Sequence, residues 1–453
     1  MTTQSLLTNY AKIEQVSEVY FAPVALLPNG QPVGTLYAFL SHIDPWSDDA
    51  NPPVPSESQQ YTKNVFASMF VAKQIYSSQI SPVITRTNWT SGIVYDYYQD
   101  NIDMFAMDSN GYPTLHFYAK NIYDQVFKCL WNNNGAPSTA QPYFQPGSYG
   151  TNNIFQSSDG YKWKYMYTID AGSKKSFMDD NWMPVPTDTK APNPLNSASG
   201  FGDIQVINVV NGGTGYDSAN ATISVVISGD GTGATGSAQV ANGSITDIIV
   251  SNSGSNYSYA NVAIVSALGS NASFVAPASP VGGHASDAVS ELGCNHVMLT
   301  AEFTGSEGGI IPTDISYRQC GILSSPVAKS TYPNSANGGI YKVSTDIVVA
   351  AGFGSFVSGE NVYQGISLNS ASWTAKVLSF DSTNNIIHVI NTLGTPTVSQ
   401  AVFGATSQTT RTALNINTPD FIPYSGYMLY IQNQSGIQRS SDGIEQFKFV
   451  LGF

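Results

Sequence analysis

The glycines of "GTGATG" (231–236) match the G-x-G-x-x-G spacing that lets a backbone approach a pyrophosphate. That chemistry needs a helix directly after the glycines. Here "SAQVANGS" follows and reads as a short alternating strand closing on an Asn-Gly hairpin turn. Residues 212–220, "GGTGYDSAN", fit one calcium-binding nonapeptide. Such sites need stacked copies that share ligands, and "NSGSNYSYA" offers no acid where Asp217 would recur. The five histidines, at 42, 116, 284, 296 and 388, show no H-x-x-x-H or comparable ligand spacing. "GGHASD" (282–287) comes with no nucleophile elbow, so His284 is expected in a Gly-rich loop. Asp96, Asp100 and Asp103 lie beside aromatics, as glycosidase acids would. Spacing alone sets no carboxylate geometry, and a solvated acidic turn is the expected structure. Cys129, Cys294 and Cys320 lack C-x-x-C spacing and read as reduced thiols packed as small hydrophobes. No catalytic residues, metal ligands or cofactor loop are assigned.

A different signal comes from "SDGYKWKYMYTID" (158–170). Tyr161, Trp163, Tyr165, Tyr167 and Ile169 alternate with Lys162, Lys164, Met166 and Thr168, the period of a β-strand with one apolar face. Ser158, Asp159 and Gly160 in front are turn chemistry. The row suits either a binding platform or a core. A second one-sided row at the C-terminus, with Phe447, Phe449, Leu451 and Phe453, favours core, with Lys162 and Lys164 on a wet face.

Composition sets the elements around this row. Charged residues make up 11% of 453, against the roughly 25% usual in soluble domains. Gly, Ser, Thr and Asn fill the deficit, which suits short strands joined by polar turns. The net charge of −13 with no basic run argues against nucleic-acid binding. No apolar run reaches the ~18 residues of a membrane span, and the N-terminus lacks the pattern of a secretory signal. Low charge and abundant Tyr also suit surfaces covered by partner proteins.

Along the chain, "EVYFAPVALL" and "GTLYAFLSHI" read as strands around a "PNGQPVG" turn. A helix is expected over about 59–75, capped by the preceding Ser and Glu residues. From 198 to 283 a Gly-rich β repeat aligns Tyr216 with Tyr257, 41 positions later (257 minus 216), and likewise Ile207 with Ile248 and Ile223 with Ile264. A second β segment covers 341–415. The expected organisation is a mainly β (α+β), multi-domain, β-sandwich-like framework with few helices. Its pieces (1–197, 284–340 and 416–453) are interrupted by two small inserted β domains.

Several blocks, in this order and spacing, resemble one family. They are "SHIDPWSDD" (41–49) with Asp44, Pro45 and Trp46; "ITRTNWTSG" (84–92) with Trp89; "YDQVFKCLWNNNGAPST" (123–139); "SDGYKWKYMYTI" (158–169); and "NWMPVP" (181–186) with Trp182. "GGHASDAVSELG" (282–293), "ISYRQCGILSSP" (315–326), "SGYMLYIQNQ" (425–434) with Tyr427 and Tyr430, and "IEQFKFVLGF" (444–453) complete the set. Together they resemble the gene-eight-type baseplate wedge protein of T-even-like contractile-tailed bacteriophages, in its longer cyanophage relatives. Gln432 and Gln434 stand where relatives tend to carry charge. The resemblance implies a non-enzymatic, dimeric building block of the virion, made in the host cytoplasm. It would join other baseplate wedge proteins, with no cofactor, nucleic acid, membrane insertion or small-molecule substrate. The alternative is a receptor- or glycan-binding tail protein using aromatic platforms.

Overall fold

The computed structural model describes residues 8–21, 34–109, 112–147, 153–187 and 202–453. In chain order come α1 (Asn9–Phe21), β1 (Leu36–Ser41), α2 (Gln59–Ser68), β2 (Val71–Ile75), β3 (Ile80–Thr85), β4 (Tyr118–Lys120), β5 (Gln125–Trp131), β6 (Ile154–Gln156) and β7 (Lys162–Thr168). Then follow α3 (Ala171–Phe177), β8 (Trp182–Pro184), β9 (Asn208–Thr214), β10 (Ser224–Gly229), β11 (Thr232–Ala241), β12 (Ser244–Ser255), β13 (Ala260–Val265), β14 (Ser270–Val275) and α4 (Ala288–Glu291). The rest are β15 (His296–Thr304), β16 (Ile315–Ser324), β17 (Ile340–Lys342), β18 (Thr345–Val349), β19 (Asn361–Gln364), β20 (Trp373–Asp381), β21 (Ile386–Gly394), β22 (Ala401–Gly404), β23 (Thr410–Asn417), β24 (Tyr427–Arg439) and β25 (Ile444–Gly452). The chain is mainly β and multi-sheeted, as its composition predicts. It divides into two compact units, Met1–Ser17 with Ser81–Met298 and Val450–Phe453, and Glu18–Ile80 with Leu299–Phe449.

In the first unit, β4, β5, β7 and β6 form a four-stranded sheet in that order. Both faces of β7 are buried, including Lys162 and Lys164 at 7% and 4% exposure. The expected wet face is therefore wrong. Lys162 Nζ donates to Ile207 O and Asp247 Oδ1, both at 2.7 Å, so a second layer covers that side. That layer includes the Gly-rich repeat. Its strands pair β9 with β14, β10 with β13 and β11 with β12, a nested order in which each of the first three strands pairs with one of the last three. Ile207 and Ile248, equivalent in the repeat, meet each other in an antiparallel bridge. Gly213 and Gly254 are equivalent too. Both have positive φ, and a Cβ on either would clash first with the backbone of the paired strand (Ser270 and Ala272, or Thr232 and Ala234) and then, at 2.9 Å, with the ring of Tyr216 or Tyr257. The constant offset does not extend to Ile223 and Ile264. Ile264 lies opposite Val225 in β13, while Ile223 precedes β10.

The second unit holds a five-stranded antiparallel sheet, β17-β2-β1-β16-β24, and a closed barrel, β18-β21-β20-β19-β22-β23. Closure leaves the barrel no free edge, and it encloses Trp373, Val377, Ile387 and Val402, all fully buried.

Two expected elements change. The helix over 59–75 ends at Ser68, and Val71–Ile75 is strand β2 between β1 and β17. Ser58 caps the helix by accepting from Tyr61 N at 3.3 Å. Val71, Ala72, Lys73, Gln74 and Ile75 show no period of two, so helical spacing fits them as well as a strand does. The strand expected at 18–27 is helical to Phe21, because Ile13 and Val16 bury one face of α1 three residues apart. Residues 22–27 and most of the "PNGQPVG" turn lie outside the described residues.

Candidate docking surface

The aromatic row after Asp159 is interior. Tyr161 and Trp163 are fully buried and stacked at 5.5 Å, and Tyr95 meets Trp163 edge-on at 5.6 Å. Half-buried Tyr165 stacks on Phe144 at 4.0 Å. Asp159 anchors the turn that starts this strand. Its Oδ2 accepts from Ser138 Oγ, Thr139 N and Ala140 N at 2.8–2.9 Å. Partial burial works against ionisation, but the bonds from Ser157, Ala140 and Thr139 hold its carboxyl below the usual range. Gly160 turns the chain at φ +85°, and Trp89 Nε1 donates to Ser138 Oγ at 3.0 Å. These residues are packing and turn, not a platform.

A cluster that sequence reading missed lies on the other face of the same sheet. Lys128 on β5 is paired in register with Lys164 on β7, two like charges side by side in the interior. Glu291, at the end of α4, reaches between the strands to accept from Lys128 Nζ at 3.0 Å. Its Oε1 accepts from Ser286 N at 2.9 Å. His284 does lie in the turn before α4, as expected, but that turn is packed inside and the imidazole is buried. Its Nδ1 lies 3.3 Å from Lys128 Nζ, and its ring meets Tyr98 edge-on at 5.0 Å. The Lys128 ammonium also sits 4.1 Å over the Tyr98 ring. Three of the resembling blocks, "VFKCLW", "YKWKYMY" and "GGHASDAVSELG", therefore meet in one charged core. The cluster borders a cavity of about 690 Å³, whose wall includes Phe105, Lys128, Ser279 and Glu291.

Burial, then the neighbouring Lys128 charge, push the His284 imidazole down to about 4. Burial opposes ionisation of Glu291, but Lys128 and His284 bring it down to about 2. Burial lowers Lys164 to about 8. The sign follows from linkage. Between pH 6.5 and 4 the unfolded chain takes up a proton at position 284 that the folded chain refuses, so stability falls as pH drops through that window. Glu291 continues the loss from about 4.5 towards 2. Urea unfolding at pH 7 and pH 4.5 should differ by about 2–3 kcal/mol from His284. His284→Gln should flatten that part of the profile. An unchanged profile would place the imidazole in solvent.

In the second unit, the Asp-Pro-Trp-Ser loop leaves β1 and runs along the edge strand β24. Asp44 pairs with Lys376 Nζ at 2.7 Å, and exposed Pro45 turns the chain after it. Trp46 stacks on His42 at 3.9 Å and donates from Nε1 to Gln434 O at 2.9 Å. Arg318 grips Asp49 through Nε and Nη2, at 2.9 and 2.6 Å, holding that carboxyl below the usual range. Further along, Asp49 O accepts from Ser435 Oγ and Pro53 O from Asn433 Nδ2, both at 2.7 Å. The loop thus caps β24 at 433–435. Beyond that point the edge borders a groove of about 570 Å³, between Pro55, Glu57 and Phe66 on one side and residues 426–431 on the other. Tyr427 and Leu429 are 74% and 49% exposed there. Tyr430 is half-buried and packs edge-on to Phe449 at 5.7 Å.

The expected framework residues therefore do not converge on one site. Trp89, Asp159, Gly160, Tyr161, Trp163, Tyr165 and Trp182 belong to the first unit, where half-buried Trp182 packs on His296 at 4.5 Å. Asp44, Pro45, Trp46, Tyr427, Tyr430, Phe447 and Phe449 belong to the second, with Phe447 half-buried, stacked on buried Phe449 at 5.8 Å. Of the whole group, Pro45 and Tyr427 are exposed. Among the described residues, no group of three or more His, Cys, Asp or Glu side chains could hold a metal ion. No helix among them is long and apolar enough to cross a membrane. The chain matches no protein-family model and no curated protein.

Proposed function

We propose that this chain is a structural, non-enzymatic subunit of the baseplate wedge of a contractile phage tail, working in the virion as a homodimer. It would join neighbouring wedge proteins during assembly and contraction. The observation that carries the reading is the open stretch of β24. It is part of a 13-residue edge strand whose one charged residue is Arg439 at its end, it exposes Tyr427 and Leu429, and it borders a groove lined by Phe66 and Met428 together with Glu57 and Thr62. Surfaces of this kind bind proteins through a few buried aromatic and aliphatic anchors rather than through ion pairs. The ordered blocks shared with the wedge family supply the rest. The glycan-binding alternative leaned on the row after Asp159, and that row is buried.

Mass spectrometry of purified tail particles should find the chain with sheath, tube and other wedge proteins. A chain absent from tails, and monomeric at micromolar concentration, would sink the reading.

A further inference from the structure

We propose that residues 427–432 of β24 accept an extended, uncharged segment of another protein as an added β-strand. The inference rests on the docking reading above and names the kind of partner that this edge takes. Among the described residues β24 has one neighbour in its sheet, β16, so the other side of the strand presents backbone N–H and C=O groups with no strand beside them there. Edge strands are normally protected by charge, proline or a covering segment. Here the covering segment is present over one part of the strand. The protein's own loop lies over 433–435, using the backbone oxygens of Asp49 and Pro53 and the indole of Trp46. Its next residues, Pro55 to Glu57, form the far wall of the groove, and residues 427–432, "YMLYIQ", have no charge and no proline but carry one β-bulge, at Leu429. Six residues at about 3.4 Å each give roughly 20 Å of open edge, enough for a strand of five or six residues.

The groove states the occupant's chemistry. Its wall holds Phe66 and Met428, with Glu57 as the charged residue among its lining, so an occupant carrying several charges would lose hydration without gaining partners. Added strands take affinity from main-chain bonds and specificity from alternate side chains, one set in the groove and the other in solvent. The fitting segment is therefore extended, neutral and apolar at every second position.

The test uses the purified full chain and a fluorescein-labelled, end-blocked hexapeptide of alternating Thr and Val. Two further versions carry N-methyl groups on alternate amides of one edge or the other. Saturable binding by fluorescence anisotropy is expected for the plain peptide. About tenfold or greater weakening is expected for one methylated version only, since strand pairing uses one edge of the added strand. Leu429→Pro should abolish binding. Leu429 is passed over in the register between β16 and β24, a place where proline is tolerated. If that variant unfolds, the methylated pair still decides. No saturable binding at millimolar peptide, or equal binding of all versions, overturns strand addition. A free chain that dimerises in sedimentation equilibrium, and becomes monomeric with Leu429→Pro, makes a second copy the occupant and also overturns it. Amide exchange in tail particles separates the two proposals. A chain present in tails whose 427–432 amides exchange as fast as in the free chain defeats strand addition alone. A chain absent from tails defeats the wedge reading and leaves the peptide result standing.

Discussion

Trp163→Ala should destabilise the first unit by about 3–5 kcal/mol, the range for removing a large buried aromatic whose surroundings relax only in part. Trp163 has no exposed surface and lies between Tyr161 and Tyr95, in a cluster with Phe127, Cys129 and Ala119. Cys129 is its register partner on β5, so the lost volume opens in the middle of the sheet. Trp163→Phe should cost less than half as much. It keeps most of the apolar contact and removes an indole N–H that has no hydrogen-bond partner in the interior. Urea unfolding followed by fluorescence measures both variants. A Trp163→Ala protein of normal stability that had lost partner binding would return the row to the role of a platform.

Lys128→Met should cost about 3–5 kcal/mol, for a different reason. The substitution conserves volume, but it leaves the Glu291 carboxylate buried without its main counter-charge. Lys164, lowered to about 8 mainly by burial, stays mostly protonated at pH 7 and offsets only part of this, because the direct bond to Glu291 is made by Lys128. Adding Glu291→Gln to Lys128→Met should recover most of the loss. The amide oxygen can still accept from Ser286 N, and no lone buried charge remains. The double variant should also lose the acid-side decline that Glu291 contributes below about pH 4.5. If single and double variants were equally unstable, the effect would belong to packing rather than to charge. Lys164→Ala, which a wet-face position would leave silent, should likewise destabilise, because Lys164 is 4% exposed.

The contrast between these two residues shows what could be read in advance. Trp163 belongs to a period-two row, and an apolar period of two means strand wherever the chain is placed. The alternation also identifies one buried face. It says nothing of the opposite face, because a polar residue is compatible with water or with a buried counter-charge. Lys162 finds its own in Asp247, 85 positions further along the sequence (247 minus 162), and Lys164 lies in the field of Glu291, whose direct partner is Lys128. The same limit explains His284. A histidine among glycines reads as loop, and only the packing of 278–291 onto β5 and β7 brings it against Lys128.

Local chemistry determined what depends on neighbours within a few residues. It set the mainly β class, the Asp-Gly turn before β7, the Ser58 cap of α2, the Asn-Gly hairpin between β11 and β12, and the repeat that places Tyr216 and Tyr257 alike. The helix end at Ser68 was not legible, because in Val71–Ile75 the polar pair Lys73 and Gln74 is adjacent and gives no period of two to mark a strand. Tertiary structure alone decided three further things: which sheet face is covered, which charges meet in the interior, and which strand is left at an edge. Each is a contact between segments far apart in sequence, set by how whole sheets stack and close. The apolar run Tyr427–Ile431 of β24 would suit a core strand equally, and its position at the end of β17-β2-β1-β16-β24 is what makes it an edge.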